Sequence, residues 1–300
     1  MHADQGDYFI DLIIIGQMDM NNWNLRPLHK EILGVFRIFA SICEKYNLRY
    51  YVFYGTALGA VRHGGFIPWD DDFDVAMPRG DYNRFLEVAF EEVQYPFEFC
   101  TGGEGSVPAV FFSRIVKHGK NLVEDLSQET GLEIKYLPFI DIFALDGFPG
   151  SQKQVLRNGL KRRLLRACQM YRYPESLSEM LGVVHMLCGR IVGFIVSLFL
   201  SKTKSNREMV MLMNQKCAEM APPNCDKYIE YMFYRMREER ELPIDWFEPA
   251  KVVNFEDLRV RVPAKVEDFL SRYYGDYMKY PEEDSRIPAH QLRADYKEHI

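Results

Sequence analysis

The chain lacks several features that would have named a function class at once. Its six cysteines, Cys43, Cys100, Cys168, Cys188, Cys217 and Cys225, are scattered without a CxxC pair, so neither a zinc site nor a disulfide framework is expected, and a reducing cytoplasm fits best. Positive charge is not in excess: 37 Lys and Arg stand against 43 Asp and Glu, a formal net charge of −6, which removes the general basic field that nonspecific nucleic-acid binding needs. No nucleic-acid partner is expected, and an anionic ligand has to be held by local charge. The N-terminus has no basic leader of a secretory signal, because Asp4, Asp7 and Asp11 surround its short apolar run. Low-complexity tracts and internal repeats are also missing. What is plentiful is apolar material, at 47% hydrophobic and 14% aromatic residues, enough for a substantial core.

Patterned sequence begins near Asn22, so residues 1–21 are read as an N-terminal extension of the kind that is often disordered, with Met18 or Met20 as alternative starts. From Asn24 to Tyr46 the apolar residues Leu25, Leu28, Ile32, Val35, Phe36, Phe39 and Ile42 recur at helical spacing, predicting an amphipathic helix. Arg49 to Tyr54 reads as a strand, Gly55-Thr56 as the start of a short helix, and Asp72 to Met77 as a strand. Asp81 to Val93 reads as a helix with Asp81 as a cap, while Val110 to Val116 and Leu137 to Leu145 read as further strands. This order predicts an α+β domain on a mixed sheet over residues 22–150. Residues 151–225 read as a helical insert and 226–300 as a segment that packs back on the core. Within the insert, 183–200 is the most apolar stretch, interrupted by His185 and Arg190. Plain core is its first reading, a membrane-surface or partner-facing helix its second and a true membrane span its last, since a mid-span Arg costs about 2.5–3.5 kcal/mol on insertion scales.

The chemistry concentrates between Tyr54 and Pro78. Four carboxylates fall within five residues, Asp70, Asp71, Asp72 and Asp74. On a strand, residues two apart share a face, so Asp72 and Asp74 present two carboxylates together while Phe73 and Val75 face the core. Like charges so close raise one another's pKa unless a cation compensates, and Mg²⁺ or Mn²⁺ with oxygen ligands is the natural compensator. An acidic surface turn is the bland alternative, stronger for Asp70 and Asp71 than for Asp72 and Asp74. The helix start at Gly55-Thr56 offers backbone N–H groups, placed at Thr56 and Ala57, to phosphate oxygens. The two elements together suit a diphosphate donor.

The string Gly55-Thr56-Ala57-Leu58-Gly59-Ala60-Val61-Arg62-His63 through Pro68-Trp69-Asp70-Asp71-Asp72-Phe73-Asp74-Val75 closely resembles the LicD family of the nucleotidyltransferase superfamily, whose eukaryotic relatives are the fukutins. Phe139-Ile140-Asp141-Ile142-Phe143, Phe255-Glu256, Val262-Pro263 and Tyr274-Gly275-Asp276-Tyr277-Met278 continue the resemblance. It implies a third carboxylate on a neighbouring strand, and Asp141 fits that place. The catalytic and metal-binding set is then Asp72, Asp74 and Asp141, with Asp141 as base, and the donor-binding set is Gly55, Thr56, Arg62, His63 and Asp70. Arg62 and His63 are read equally well as favourable charge at a helix C-terminus. Arg79 and Arg114 are weaker phosphate-binding candidates, Asp146 reads as a turn residue, and Glu256 and His290 have no derivable role.

The resemblance implies transfer of phosphocholine, phosphoethanolamine or a polyol phosphate from a CDP-alcohol donor to a hydroxyl of a glycan or lipid-linked glycan, as in lipopolysaccharide, capsule or teichoic acid, with release of CMP. A choline headgroup suits an aromatic cage, and Tyr50, Tyr51 and Tyr54 are the candidates. Two rival readings stand beside it. One is a nucleotidyltransferase that attaches the nucleoside monophosphate itself. The other is a non-catalytic glycan-assembly subunit at the inner face of the membrane, using residues 183–200.

Overall fold

In the computed structural model the described residues are 24–101, 112–134, 136–148, 225–229 and 241–288, with a few single positions between 208 and 219. The extension 1–21, most of the helical insert 151–225, the segment 183–200 and His290 lie outside them. Helix α1 (Arg26–Lys45) opens with Pro27 in its first turn, where the missing N–H costs nothing. It buries Leu28, Ile32, Val35, Phe36, Phe39 and Ile42 on one side. Burial of each such side chain contributes roughly 1.5–3 kcal/mol against exposure, so α1 is held by this stripe.

Strand β1 (Tyr51–Val52), helix α2 (Tyr54–Arg62), strand β2 (Asp74–Pro78), helix α3 (Arg79–Glu92), strands β3 (Phe97–Thr101) and β4 (Ser113–Lys117), helix α4 (Leu122–Thr130) and strand β5 (Phe139–Gly147) follow. Strands β6 (Lys227–Ile229) and β7 (Leu242–Pro243) complete a seven-stranded sheet among the described residues. Its order is β1-β2-β5-β4-β3, with β6 on β5 and β7 on β6. β2 and β5 pair in parallel and the other neighbours are antiparallel, so the fold is α+β on a mixed sheet. A separate hairpin of β8 (Lys251–Phe255) and β9 (Leu258–Val262) leads to helix α5 (Val266–Tyr274).

One face of the sheet is apolar. Phe73, just before β2, packs its ring on Phe36 of α1 at a centroid distance of 4.6 Å, and Phe66 and Phe255 close on it from the other side. Side chains alternate along a strand, so Asp74 points to the opposite face. There the cover comes from α2 and α5: Tyr54 meets Phe143 of β5 and Tyr273 of α5 edge-on.

Several boundaries differ from the sequence expectation. β2 begins at Asp74, so Asp72 lies just ahead of the strand. α3 starts at Arg79 directly after Pro78, and Asp81 is no cap; it sits in the first turn and its carboxylate accepts from Arg49 at 2.8 Å. Asp146 is a strand residue, not a turn residue: it pairs with Ile229 across β5 and β6. Its two oxygens accept from Arg79 at 2.6 and 2.8 Å in a fully buried pair, with Asn214 taking a further Arg79 N–H at 2.8 Å. That pairing withdraws Arg79 from phosphate binding and makes it a brace at the far end of the sheet. Tyr50 and Tyr51 are core residues, the first against Phe36 and Phe39, the second with its hydroxyl on Glu248 at 2.6 Å. The expected cage therefore loses two of its three rings.

Candidate active site

The site is built where α2 starts beside the first residue of β2. The backbone N–H of Asp74 donates to Thr56 Oγ1 at 2.8 Å, and Phe53 N–H donates to the Asp74 carbonyl at 2.9 Å. These bonds fix the helix start against the carboxylate strand. The free N–H positions differ by one turn residue from expectation: α2 starts at Tyr54, and Ala57 N–H already donates to Phe53 O at 3.0 Å. The amides at the open end of the helix are thus those of Gly55 and Thr56, not of Ala57, since the first N–H groups of a helix have no intrahelical acceptor. Tyr54, where the chain turns into the helix, holds a left-handed φ of 41°, a conformation that costs a non-glycine residue energy and concentrates at functional sites.

Asp70 closes the same corner. Its Oδ2 lies 2.9 Å from where a Cβ on Gly55 would stand, so the glycine is what lets the carboxyl lie against the helix start. The Asp70 side chain also hydrogen-bonds Asp72. Burial, then the charges of Asp72 and Asp71, push the Asp70 carboxyl well above the ordinary carboxylate range. Asp74 is displaced in the same direction by burial, then Asp72, Asp141 and Asp70, with Arg114 opposing.

Across the sheet the charges form a row. Asp74 of β2 is in register with Asp141 of β5, and Asp141 with Arg114 of β4. Residues in register share a face, and Arg114 donates to both Asp141 oxygens at 2.6 and 2.8 Å. The guanidinium is buried and lies 3.7 Å from the Phe139 ring centroid. Such a forked, desolvated pair is far stronger than a surface one, so Arg114 is a fixed cation beside Asp72 and Asp74. Sequence reasoning ranked it low because its partner is set by register.

The donor set suits a hard cation. Oxygen-only ligands of high negative charge are what Mg²⁺ and Mn²⁺ take, and the upward displacement of Asp70 and Asp74, caused first by burial and then by their carboxylate neighbours, is what a nearby cation would relieve. Among the described residues no three His, Cys, Asp or Glu side chains converge enough to hold an ion alone. The fit is therefore to an ion that takes one or two carboxylates and completes its shell with water and phosphate oxygens, which is the habit of Mg²⁺.

Arg62 and His63 are engaged elsewhere. Arg62 Nη1 donates to the carbonyls of Tyr277 and Lys279 at 2.9 and 3.4 Å and its guanidinium stacks 4.7 Å from the Tyr280 ring, while the Tyr280 hydroxyl meets His63 Nε2 at 3.3 Å. Both stand at the other end of α2, roughly 12 Å from its start at 1.5 Å per residue. The structure brings them to the C-terminal segment 277–280. Tyr274, at the end of α5, keeps 42% of its surface exposed, while the cover of its phenol group and then the charges of Asp70, Asp74 and Asp72 raise its pKa, which puts the hydroxyl on the side of the acidic loop. Glu256 also gains a role, accepting from Phe66 N–H at 3.2 Å and from Arg26 at 2.8 and 3.0 Å, which fixes the turn before the acidic loop.

Residues 47–147 match the family model described as LicD/FKTN/FKRP, nucleotidyltransferase domain, and these residues run from β1 to the end of β5. Over these residues the chain is similar to the LicD family. It is similar to the lipopolysaccharide cholinephosphotransferase LicD of Haemophilus influenzae, 29% identical over 279 residues that cover 92% of this chain and 99% of that protein. Shorter stretches of 75 residues are 35% and 33% identical to uncharacterized proteins of Rickettsia typhi and Rickettsia prowazekii, covering 23% of this chain and about a quarter of each relative. Among the described residues no helix is long and apolar enough to cross a membrane.

Proposed function

We propose that this protein is a LicD-type transferase that moves phosphocholine, or a related alcohol phosphate, from a CDP-linked donor to a hydroxyl of a cell-surface glycan such as lipopolysaccharide, releasing CMP. The observation that carries the reading is the bond between Thr56 and Asp74, which sets a helix N-terminus beside the buried Asp74. The choice of phosphocholine and of lipopolysaccharide rests on the Haemophilus relative, which is similar along nearly its whole length. Phosphoethanolamine and polyol phosphates stay within the same chemistry.

In this reading the Gly55 and Thr56 amides receive donor phosphate oxygens, favoured by the partial positive charge of the helix start. Asp72 and Asp74 hold the divalent ion, Mg²⁺ or Mn²⁺, and Asp70 orients Asp72 through their hydrogen bond. The bound ion supplies neutralisation of charge on the donor phosphates. Arg114, pinned by Asp141, adds a preorganised positive charge that faces the same carboxylates and needs no rearrangement during transfer. Asp141 was expected as third ligand and base; with both oxygens on Arg114 we assign it to holding that guanidinium. Arg62 and His63 are assigned to seating the segment 277–280, and Tyr274 to closing the site beside the acidic loop.

Purified protein incubated with a panel of CDP-alcohols and Mg²⁺ should release CMP from one of them, more so with a glycan acceptor, and Asp74→Asn should abolish it while the variant stays folded. Labelled nucleoside appearing on the acceptor would replace this reading by nucleotidyl transfer. Normal glycan decoration in cells carrying Asp74→Asn would replace it by a non-catalytic role at the membrane.

A further inference from the structure

His29 of α1 is buried, with 2% of its surface exposed, and its imidazole stacks face to face on Phe66 at 4.1 Å and 3°. Its Nε2 lies 2.6 Å from the backbone carbonyl oxygen of Asp70. A carbonyl only accepts, so Nε2 must carry the hydrogen. Nδ1 has no hydrogen-bond partner and is shielded from solvent. A proton placed there would be a buried, unpaired charge, and the ring therefore stays neutral as the Nε2–H tautomer. A buried polar atom left without a partner costs about 1–3 kcal/mol, and a leucine would fill the same space without that cost. What distinguishes the histidine from a leucine here is its other nitrogen.

What that nitrogen does is hold the acidic loop. Asp70 is the residue whose carboxyl rests against Gly55 and hydrogen-bonds Asp72. Its carbonyl is anchored by a helix that is itself tied down by the Arg26–Glu256 ion pair and by Phe66, whose N–H is held by Glu256. We propose that His29 is a positioning residue of the active site: as a neutral donor it fixes the backbone at Asp70 and through it the directions of the Asp70 and Asp72 carboxyls. The functional consequence rests on the transferase reading; the structural step does not.

The test compares His29→Gln, whose amide N–H can replace Nε2–H, with His29→Leu, which keeps the packing and removes the donor. Hydrogen–deuterium exchange of peptides covering residues 66–74 should rise at least tenfold in His29→Leu and stay near wild type in His29→Gln, with thermal unfolding of both reported alongside. CMP release from the donor that the panel identifies should fall at least tenfold in His29→Leu, chiefly in kcat, and by no more than about threefold in His29→Gln. Nitrogen-15 spectra of the wild type should show a proton on Nε2 and none on Nδ1. Unchanged exchange in His29→Leu overturns the proposal, as does a loosened loop with undiminished CMP release, or a glutamine variant that fails as badly as leucine while folded. A wild-type protein that releases CMP from no donor sinks the transferase reading instead, and the exchange comparison still decides whether His29 holds the loop.

Discussion

Replacement of Gly55 by alanine separates stability from function at this site. Gly55 is not among the glycines with left-handed φ, so alanine takes its backbone without strain. In the first turn of a helix the exchange is neutral or slightly favourable, since alanine exceeds glycine by up to about 1 kcal/mol in helix interiors. The new Cβ meets Asp70 Oδ2 at 2.9 Å, whereas carbon and oxygen come to rest at roughly 3.3–3.6 Å. The Asp70 carboxyl must retreat by roughly 0.5 Å, which it can do because the clashing atom is the end of a side chain. Misplacement by about 1 Å of a catalytic group can cost a hundredfold in rate, so half that displacement predicts about a tenfold fall in CMP release. Unfolding by urea should give a stability within about 1 kcal/mol of wild type. Activity within twofold of wild type, at unchanged Mg²⁺ dependence, would show that Asp70 moves without consequence and would remove it from the site.

Gly59→Ala should behave in the opposite way: its Cβ would stand 2.5 Å from the Gly65 carbonyl, a backbone atom that cannot step aside, so thermal melting should report a loss of about 1–3 kcal/mol. Asp146→Ala leaves Arg79 charged and buried without its partner, and urea unfolding should show a loss of about 3–5 kcal/mol. Stability should also depend on His29 below neutrality. Its folded pKa, lowered by burial to about 4 against an unfolded value near 6.5, means that the unfolded chain takes up the proton first, so stability is complete above about pH 6.5 and lost as pH falls toward 4, by roughly 3 kcal/mol. Arg26 pushes the ring in the same direction while Glu256, Asp71 and the Asp70 carbonyl oppose it. The raised carboxyls of Asp70 and Asp74 bind protons in the native state and so work in the opposite direction, which makes the difference between wild type and His29→Gln the quantity to measure. Equal pH slopes for the two proteins would refute the assignment.

The parts of this structure that are written locally were legible in the sequence. The spacing from Leu28 to Ile42 gave α1 to within two residues at its start, because an amphipathic stripe needs only its own residues to be recognised. The corner of Thr56 and Asp74 was legible because a glycine–threonine helix start and an alternating acidic strand each leave a short-range mark. β3 was missed although Phe97, Phe99 and Thr101 alternate, since its pattern is short and follows directly on a polar helix end. α4 was missed because it is acidic and buries only Leu126 and Thr130. The partners of Asp141, Asp146 and His29 lay beyond reach for another reason. Arg114 is 27 residues from Asp141, Arg79 is 67 from Asp146, and His29 is 41 from Asp70, so only strand register and helix docking bring them together.

That division explains how the site tolerates its own charge. The sheet face toward α1 is filled by Phe36, Phe73, Ile115, Ile140 and Ile142, all essentially excluded from water, and it supplies cohesion that does not involve the acidic row. The opposite face can then carry Asp74 and Asp141 within the same strands, at a cost that a small domain without such a core could not meet. Arg114 neutralises one of the two carboxylates through geometry that the β4–β5 register fixes, while Asp74 feels Asp72, Asp141 and Asp70 with that guanidinium opposing them. A fold that stabilised every carboxylate internally would have no affinity left for a cation. Here the pairing stops one residue short along the row, and the incompletely compensated end of it is the end that meets the start of α2.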